Sequence, residues 1–143
     1  MSKVTKTYDD KLELKDAGVV SSSAAAQVAS VNKIIDLGAG VVHGDIVIDV
    51  SACEVASGNE MYTIGAQISD SATFVSGIYE VTCIKLGSSR CITGDTNMGA
   101  GRYILPFRNT IANNVAKRYM RLYTTISGSI STGINYSAYL AKK

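Results

Sequence analysis

Lys117-Arg118-Tyr119-Met120-Arg121-Leu122-Tyr123-Thr124-Thr125-Ile126, closed by Ser127-Gly128, is the stretch that decides the reading of this chain. Side chains alternate between the two faces of a strand. Met120, Leu122 and Ile126 therefore share one side, and Tyr119, Arg121 and Tyr123 share the other. The first side suits a core. The second is a Tyr-Arg-Tyr row, and those residue types are enriched where proteins touch other proteins. Surface tyrosines that pair across strands with Thr and long side chains would give the same row a purely structural role.

The period of two recurs on both sides of this stretch. Residues 45–50 alternate with Ile46, Ile48 and Val50 inward. Residues 61–69 place Tyr62, Ile64, Ala66 and Ile68 on one face, and residues 77–86 place Ile78, Ile84 and Leu86 in register. Residues 130–140 carry Ile134, Tyr136, Ala138 and Leu140 together. The apolar, β-branched run 31–37 is expected to be the first core strand, ended by Gly38-Ala39-Gly40. A weaker segment, 103–107, surrounds the only proline, Pro106, which suits an edge strand or a strand end. A helical turn is expected only near residues 109–116.

About seven or eight strands separated by Gly, Ser, Asn and Asp turns predict an all-β protein, an antiparallel β-sandwich with a jelly roll as the expected form. At 143 residues the chain fits one domain. Residues 1–30 are expected to be an N-terminal arm and linker: 1–17 loose, with Leu12 and Leu14 as its anchors, then the small-residue run Ser21-Ser22-Ser23-Ala24-Ala25-Ala26-Gln27. Residues 31–143 form the expected sandwich domain.

Composition narrows the function. The apolar share of 46% supports a packed core and excludes a disordered chain. The net charge of +2, from 14 basic and 12 acidic residues, is too balanced for a nucleic-acid partner, which needs a basic stripe. The cluster Lys117, Arg118 and Arg121 reads instead as a solvated strand edge or a protein contact. No apolar run approaches the roughly 18–20 residues of a spanning helix, so no membrane partner is expected. The three cysteines, Cys53, Cys83 and Cys91, have no paired spacing and follow a polar start, which argues for reduced thiols in a cytoplasm.

Motifs for chemistry are weak. Ile34-Ile35-Asp36-Leu37-Gly38-Ala39-Gly40 resembles the cofactor loop of S-adenosylmethionine-dependent methyltransferases. That chemistry needs a helix directly after the glycines, whereas Val41-Val42-His43-Gly44 leads into another strand pattern. A β-turn after a strand is the better reading. His43, the only histidine, lacks a second group for acid–base or nucleophilic work and is expected to be a polar turn residue. Asp45, Asp49, Asp70 and Asp95 do not follow the alternating spacing of a calcium loop, and Gly94-Asp95-Thr96-Asn97 reads as a turn. Neither a zinc site nor a glycosidase carboxylate pair is expected. Asn135-Tyr136-Ser137 matches a glycosylation sequon inside an expected strand and is taken as chance. The reading is of a protein that binds, with no catalytic residue, cofactor or metal.

The order of features resembles a family. Leu12-Glu13-Leu14-Lys15-Asp16-Ala17 is followed by Ile35-Asp36-Leu37-Gly38. Next come Gln67-Ile68-Ser69-Asp70-Ser71-Ala72-Thr73-Phe74 and Arg118-Tyr119-Met120-Arg121-Leu122-Tyr123. A Gly-Ser turn and a strand ending in Ala138-Tyr139-Leu140 complete it. This succession is similar to the small cement, or decoration, proteins of tailed-phage capsids, particularly the kind on a Bordetella phage head. The resemblance implies a jelly-roll sandwich on the outside of an icosahedral shell, assembled in the host bacterial cytoplasm. It also implies the major capsid protein as partner, together with a second copy of the chain as a homodimer, or a trimer. The arm 1–17, with Leu12 and Leu14, and loops such as 87–101 are then expected to grip the shell, while Tyr119, Arg121 and Tyr123 serve an interface. Oligomers that engage several capsid subunits gain by effective concentration. A carbohydrate-binding adhesin-type module is the alternative on the same sandwich.

Overall fold

The computed structural model describes residues 8–87 and 100–142. A 3-10 turn at Asp10–Leu12 leads into six short strands: β1 (Glu13–Lys15), β2 (Val19–Val20), β3 (Ala24–Ala25), β4 (Gln27–Val28), β5 (Val31–Asn32) and β6 (Ile35–Asp36). The long strands β7 (His43–Cys53), β8 (Met61–Ser69), β9 (Tyr79–Leu86) and β10 (Gly101–Arg108) follow. A small hairpin of β11 (Thr110–Ile111) and β12 (Val115–Ala116) precedes the closing strands β13 (Tyr119–Ser127) and β14 (Ile134–Lys142).

Two antiparallel sheets pack face to face as a β-sandwich. One runs β1-β14-β7-β10, with β2 also on β14; the other runs β3-β13-β8-β9, with β6 also on β13. The pairing is nested: β1 with β14, β3 with β13, β7 with β10 and β8 with β9.

Alternation builds the core. Ile46, Ile48, Val50, Ile134, Tyr136, Ala138 and Leu140 from one sheet meet Tyr62, Ile64, Ala66, Ile68, Met120 and Leu122 from the other, all nearly inaccessible. Each fully buried Ile, Leu or Met contributes about 1.5–3 kcal/mol. Across this apolar layer the hydroxyls of Thr124 on β13 and Tyr136 on β14 hydrogen-bond at 2.5 Å. Burial pushes the Tyr136 phenol up to about 12. On the outer side of the first sheet Val47, Tyr139 and Ala141 make a smaller cluster, and Tyr8 packs edge-on against Tyr139 at 5.4 Å.

Several expectations are corrected. The run 31–37 is not a core strand: Val31 is 67% exposed, and only Ile35 and Leu37 are buried. Its start belongs instead to the hairpin β4–β5, whose central residues Ala29 and Ser30 both have positive φ, at 52° and 65°. In residues 77–86 a β-bulge intervenes, since Ala66 faces Thr82 while Gln67 faces Glu80 and Val81 is the extra residue. Ile84 and Leu86 keep the inward register; Ile78 lies before the strand and is 40% exposed. Residues 109–116 hold the hairpin β11–β12 around a 3-10 turn at Ala112–Asn114. Pro106 does sit in an edge strand, β10.

The expected arm and linker, 1–30, is woven into the sandwich over its described part. β1 and β2 pair with β14, and β3 pairs with β13. Leu14 is fully buried and is not free to act as an interface anchor, while Leu12 is partly buried and packs against the core. The Lys15 ammonium is buried too. It donates to the carbonyls of Asp16 (3.0 Å), Gly18 (2.9 Å) and Tyr136 (2.8 Å), and burial holds its pKa down. Within the described part of 1–17, removal therefore takes out the edge strand β1 and the core side chain of Leu14.

Candidate interaction face

The outer face of the second sheet carries the Tyr-Arg-Tyr row. In β13 the buried Met120, Leu122 and Thr124 alternate with the half-buried Tyr119, Arg121 and Tyr123. Pairing with β8 sets Tyr119 opposite Ser69, Arg121 opposite Gln67 and Tyr123 opposite Gly65. The row is thereby held on a central strand, with partners on both sides.

Arg121 is the hub. Its Nε donates to Gln67 Oε1 at 2.8 Å, and its guanidinium lies 4.5 Å from the Phe74 ring centre and 5.4 Å from that of Tyr123. Such cation–π contacts contribute about 0.5–1 kcal/mol at exposed sites and more when desolvated. Phe74 is buried with φ at +55°, an uncommon backbone for an aromatic residue. It is held by hydrogen bonds inside its loop. The Phe74 amide donates to the Ser71 carbonyl at 3.2 Å, and Ser69 Oγ donates to the Ser76 carbonyl at 2.8 Å.

Charge pairs border the row. Arg118 forms a bidentate pair with Asp36 (2.8 and 2.9 Å) and stands 5.5 Å from the Tyr119 ring centre. The hydrogen bonds from Arg118, then that from the Gly38 amide, hold the Asp36 carboxyl down at about 2. Asp70 accepts from the Arg118 amide (3.1 Å) and from Lys117 Nζ (3.2 Å), and both bonds lower its pKa. Lys117 in turn lies 5.5 Å from the Tyr79 ring centre. The result is a surface of paired cations and rings held in place by contacts within the chain. Beside it Val75, Ile78 and Tyr79 are exposed apolar side chains.

The structure thus brings Tyr119, Arg121 and Tyr123 together and leaves Leu12 and Leu14 in and near the core. The sequence reading missed Phe74, Gln67 and Asp36 as members of the face. The Asp-Leu-Gly and Gln67-to-Phe74 motifs contained them, but only the β6–β13 and β8–β13 registers show that they meet.

The other motifs resolve as local structure. Gly38 and Gly40 have positive φ, and β7 rather than a helix follows them. The buried Asn109 clamps this turn: its Oδ1 accepts from the Val42 amide (2.7 Å), and its Nδ2 donates to the carbonyls of Gly40 (3.0 Å) and Lys117 (2.8 Å). His43 is exposed at the start of β7, opposite Arg108. Asp49 pairs with Arg102 at 2.6 and 2.9 Å. Asp95 and Cys91 lie outside the described residues, as does most of the loop 87–101. Among the described residues no group of three His, Cys, Asp or Glu side chains could hold a metal ion. No protein-family model and no curated protein matches the chain.

Proposed function

We propose that this chain is a structural virion protein, a cement or decoration protein that binds the outside of a major capsid shell as an oligomer and stabilises it. The observation that carries the reading is the Tyr119–Arg121–Tyr123 face. It presents aromatic rings and a guanidinium, held in place by Phe74 and Gln67, on a central strand of a rigid sheet. Rigid aromatic and Arg anchors are the side chains that dominate protein–protein contacts, because little freedom remains to be lost on binding.

The nested strand pairing supports reading the sandwich as a jelly roll, the form the resemblance implies. The same geometry favours a protein contact over glycan binding. Guanidinium groups stand over the rings of Tyr119 and Tyr123, faces a sugar would need for stacking. The test is sedimentation of the purified protein with phage heads that lack it. Pelleting at a fixed, saturable ratio is the expected result; protein that stays in the supernatant at every ratio would sink the cement reading.

A further inference from the structure

β9 is the outermost strand of its sheet, and among the described residues it pairs only with β8. An edge strand presents free backbone donors and acceptors that can template another strand. On its outer face β9 carries Glu80 opposite Gln67, Cys83 opposite Gly65 and Lys85 opposite Thr63. Within one strand Glu80 and Lys85 are roughly 15 Å apart, too far to pair. Neither makes an ion pair within the chain among the described residues, and both are exposed. The Glu80 side chain lies across Gly65, in a notch that any Cβ there would close.

We infer that β9 is the seam of a two-fold homodimer, in which two copies pair antiparallel about Cys83. This deepens the oligomeric part of the proposed function and rests on it for its biological role. Residues opposite each other in an antiparallel pair must share a face, and a two-fold axis makes the pairing self-complementary. Centring on Cys83 meets both demands: Cys83 faces its own copy, and the inward Thr82 faces the inward Ile84 of the second copy. Without the bulge, Glu80 and Lys85 would point to opposite faces of the sheet. The extra residue Val81 returns Glu80 to the outer face, so that Lys85 of the second copy faces the Val81–Glu80 pair. Glu80 and Lys85 then meet twice, once on each side of the axis, and a charge pattern with no ion pair among the described residues of one chain is satisfied by a second copy.

Light scattering on the protein alone, with a Cys53→Ser/Cys91→Ser background for cross-linking, tests the seam. Opposed residues have Cα atoms about 4.5–5.5 Å apart, within disulfide reach. Copper phenanthroline in air should therefore take two electrons and two protons from the paired Cys83 thiols and give a disulfide dimer. Glu80→Lys and Lys85→Glu should each weaken dimerisation about tenfold, since attraction becomes repulsion at two symmetric places, and E80K/K85E should restore it. A monomeric wild type, a dimer indifferent to both single changes, or a double change that fails to rescue would overturn the inference. Because this readout involves no phage heads, a dimer that ignores heads counts against the cement reading alone. A monomer that pellets with heads counts against the seam alone.

Discussion

Thr124 and Tyr136 show how individual residues fix the register of the two sheets. Their hydroxyls meet inside an apolar layer, where an unpaired polar group is costly and a paired one is nearly neutral. Thr124→Val or Tyr136→Phe should each cost about 1–3 kcal/mol in urea unfolding, because each orphans its partner's hydroxyl. The double variant T124V/Y136F should lose less than the sum of the two. Strict additivity would show that the hydroxyls do not act as a pair. Arg121 illustrates the opposite environment, a cation held at the surface. It is lodged among Gln67, Phe74 and Tyr123, and burial lowers its pKa from the usual guanidinium value.

Among the elements, the hairpin β4–β5 carries the clearest local strain. Two-residue hairpin loops with positive φ at both positions favour Asn-Gly, yet this one is Ala29-Ser30. The carboxylate of Asp16 accepts from the Ala29 amide at 2.8 Å and helps hold the turn. Replacing Ala29 with Asn and Ser30 with Gly should therefore raise stability by about 1 kcal/mol, read as a higher urea midpoint at unchanged slope. A lower midpoint would contradict the turn geometry. This hairpin also explains why residues 31–37 misled. The run is apolar, but the turn just before it, Ala29-Ser30, carries no Asn, Gly or Pro signal. Strands β7, β8, β13 and β14 were legible because both their period and their bounding turns are explicit in the sequence. β1 to β3 were not, because strands of two or three residues leave too little pattern to detect and owe their place to pairing with β13 and β14. The bulge at Val81 was hidden for a related reason: an inserted residue shifts the period without changing composition.

For the molecule as a whole, hydrogen-bonded surface carboxylates contribute to the loss of stability in acid. Asp36, Asp49 and Asp70 all have pKa values below the usual 3.8, Asp36 at about 2, each held down first by a hydrogen bond from the chain around it. A carboxylate depressed in the folded state favours folding above its unfolded pKa, and that contribution disappears as pH falls through the folded value. Melting temperature should therefore drop as pH is lowered from about 4 to about 2, and D36N should show a smaller drop. An unchanged melting temperature across that window would count against these pairs. The interaction face was half legible. Tyr119, Arg121 and Tyr123 follow from period two alone, whereas Asp36, Gln67 and Phe74 join them through long-range register that no local pattern encodes.

The most direct measurement compares the wild type with Y119A/R121A/Y123A in sedimentation with phage heads that lack the protein. These side chains are half-buried and the variant loses the contacts of Arg121 with Gln67 and Phe74, so its melting curve is recorded first and pelleting is compared well below its midpoint. The wild type should pellet at a fixed ratio and the variant should remain in solution. Equal pelleting of both, or no pelleting of the wild type, would contradict the role given to this face.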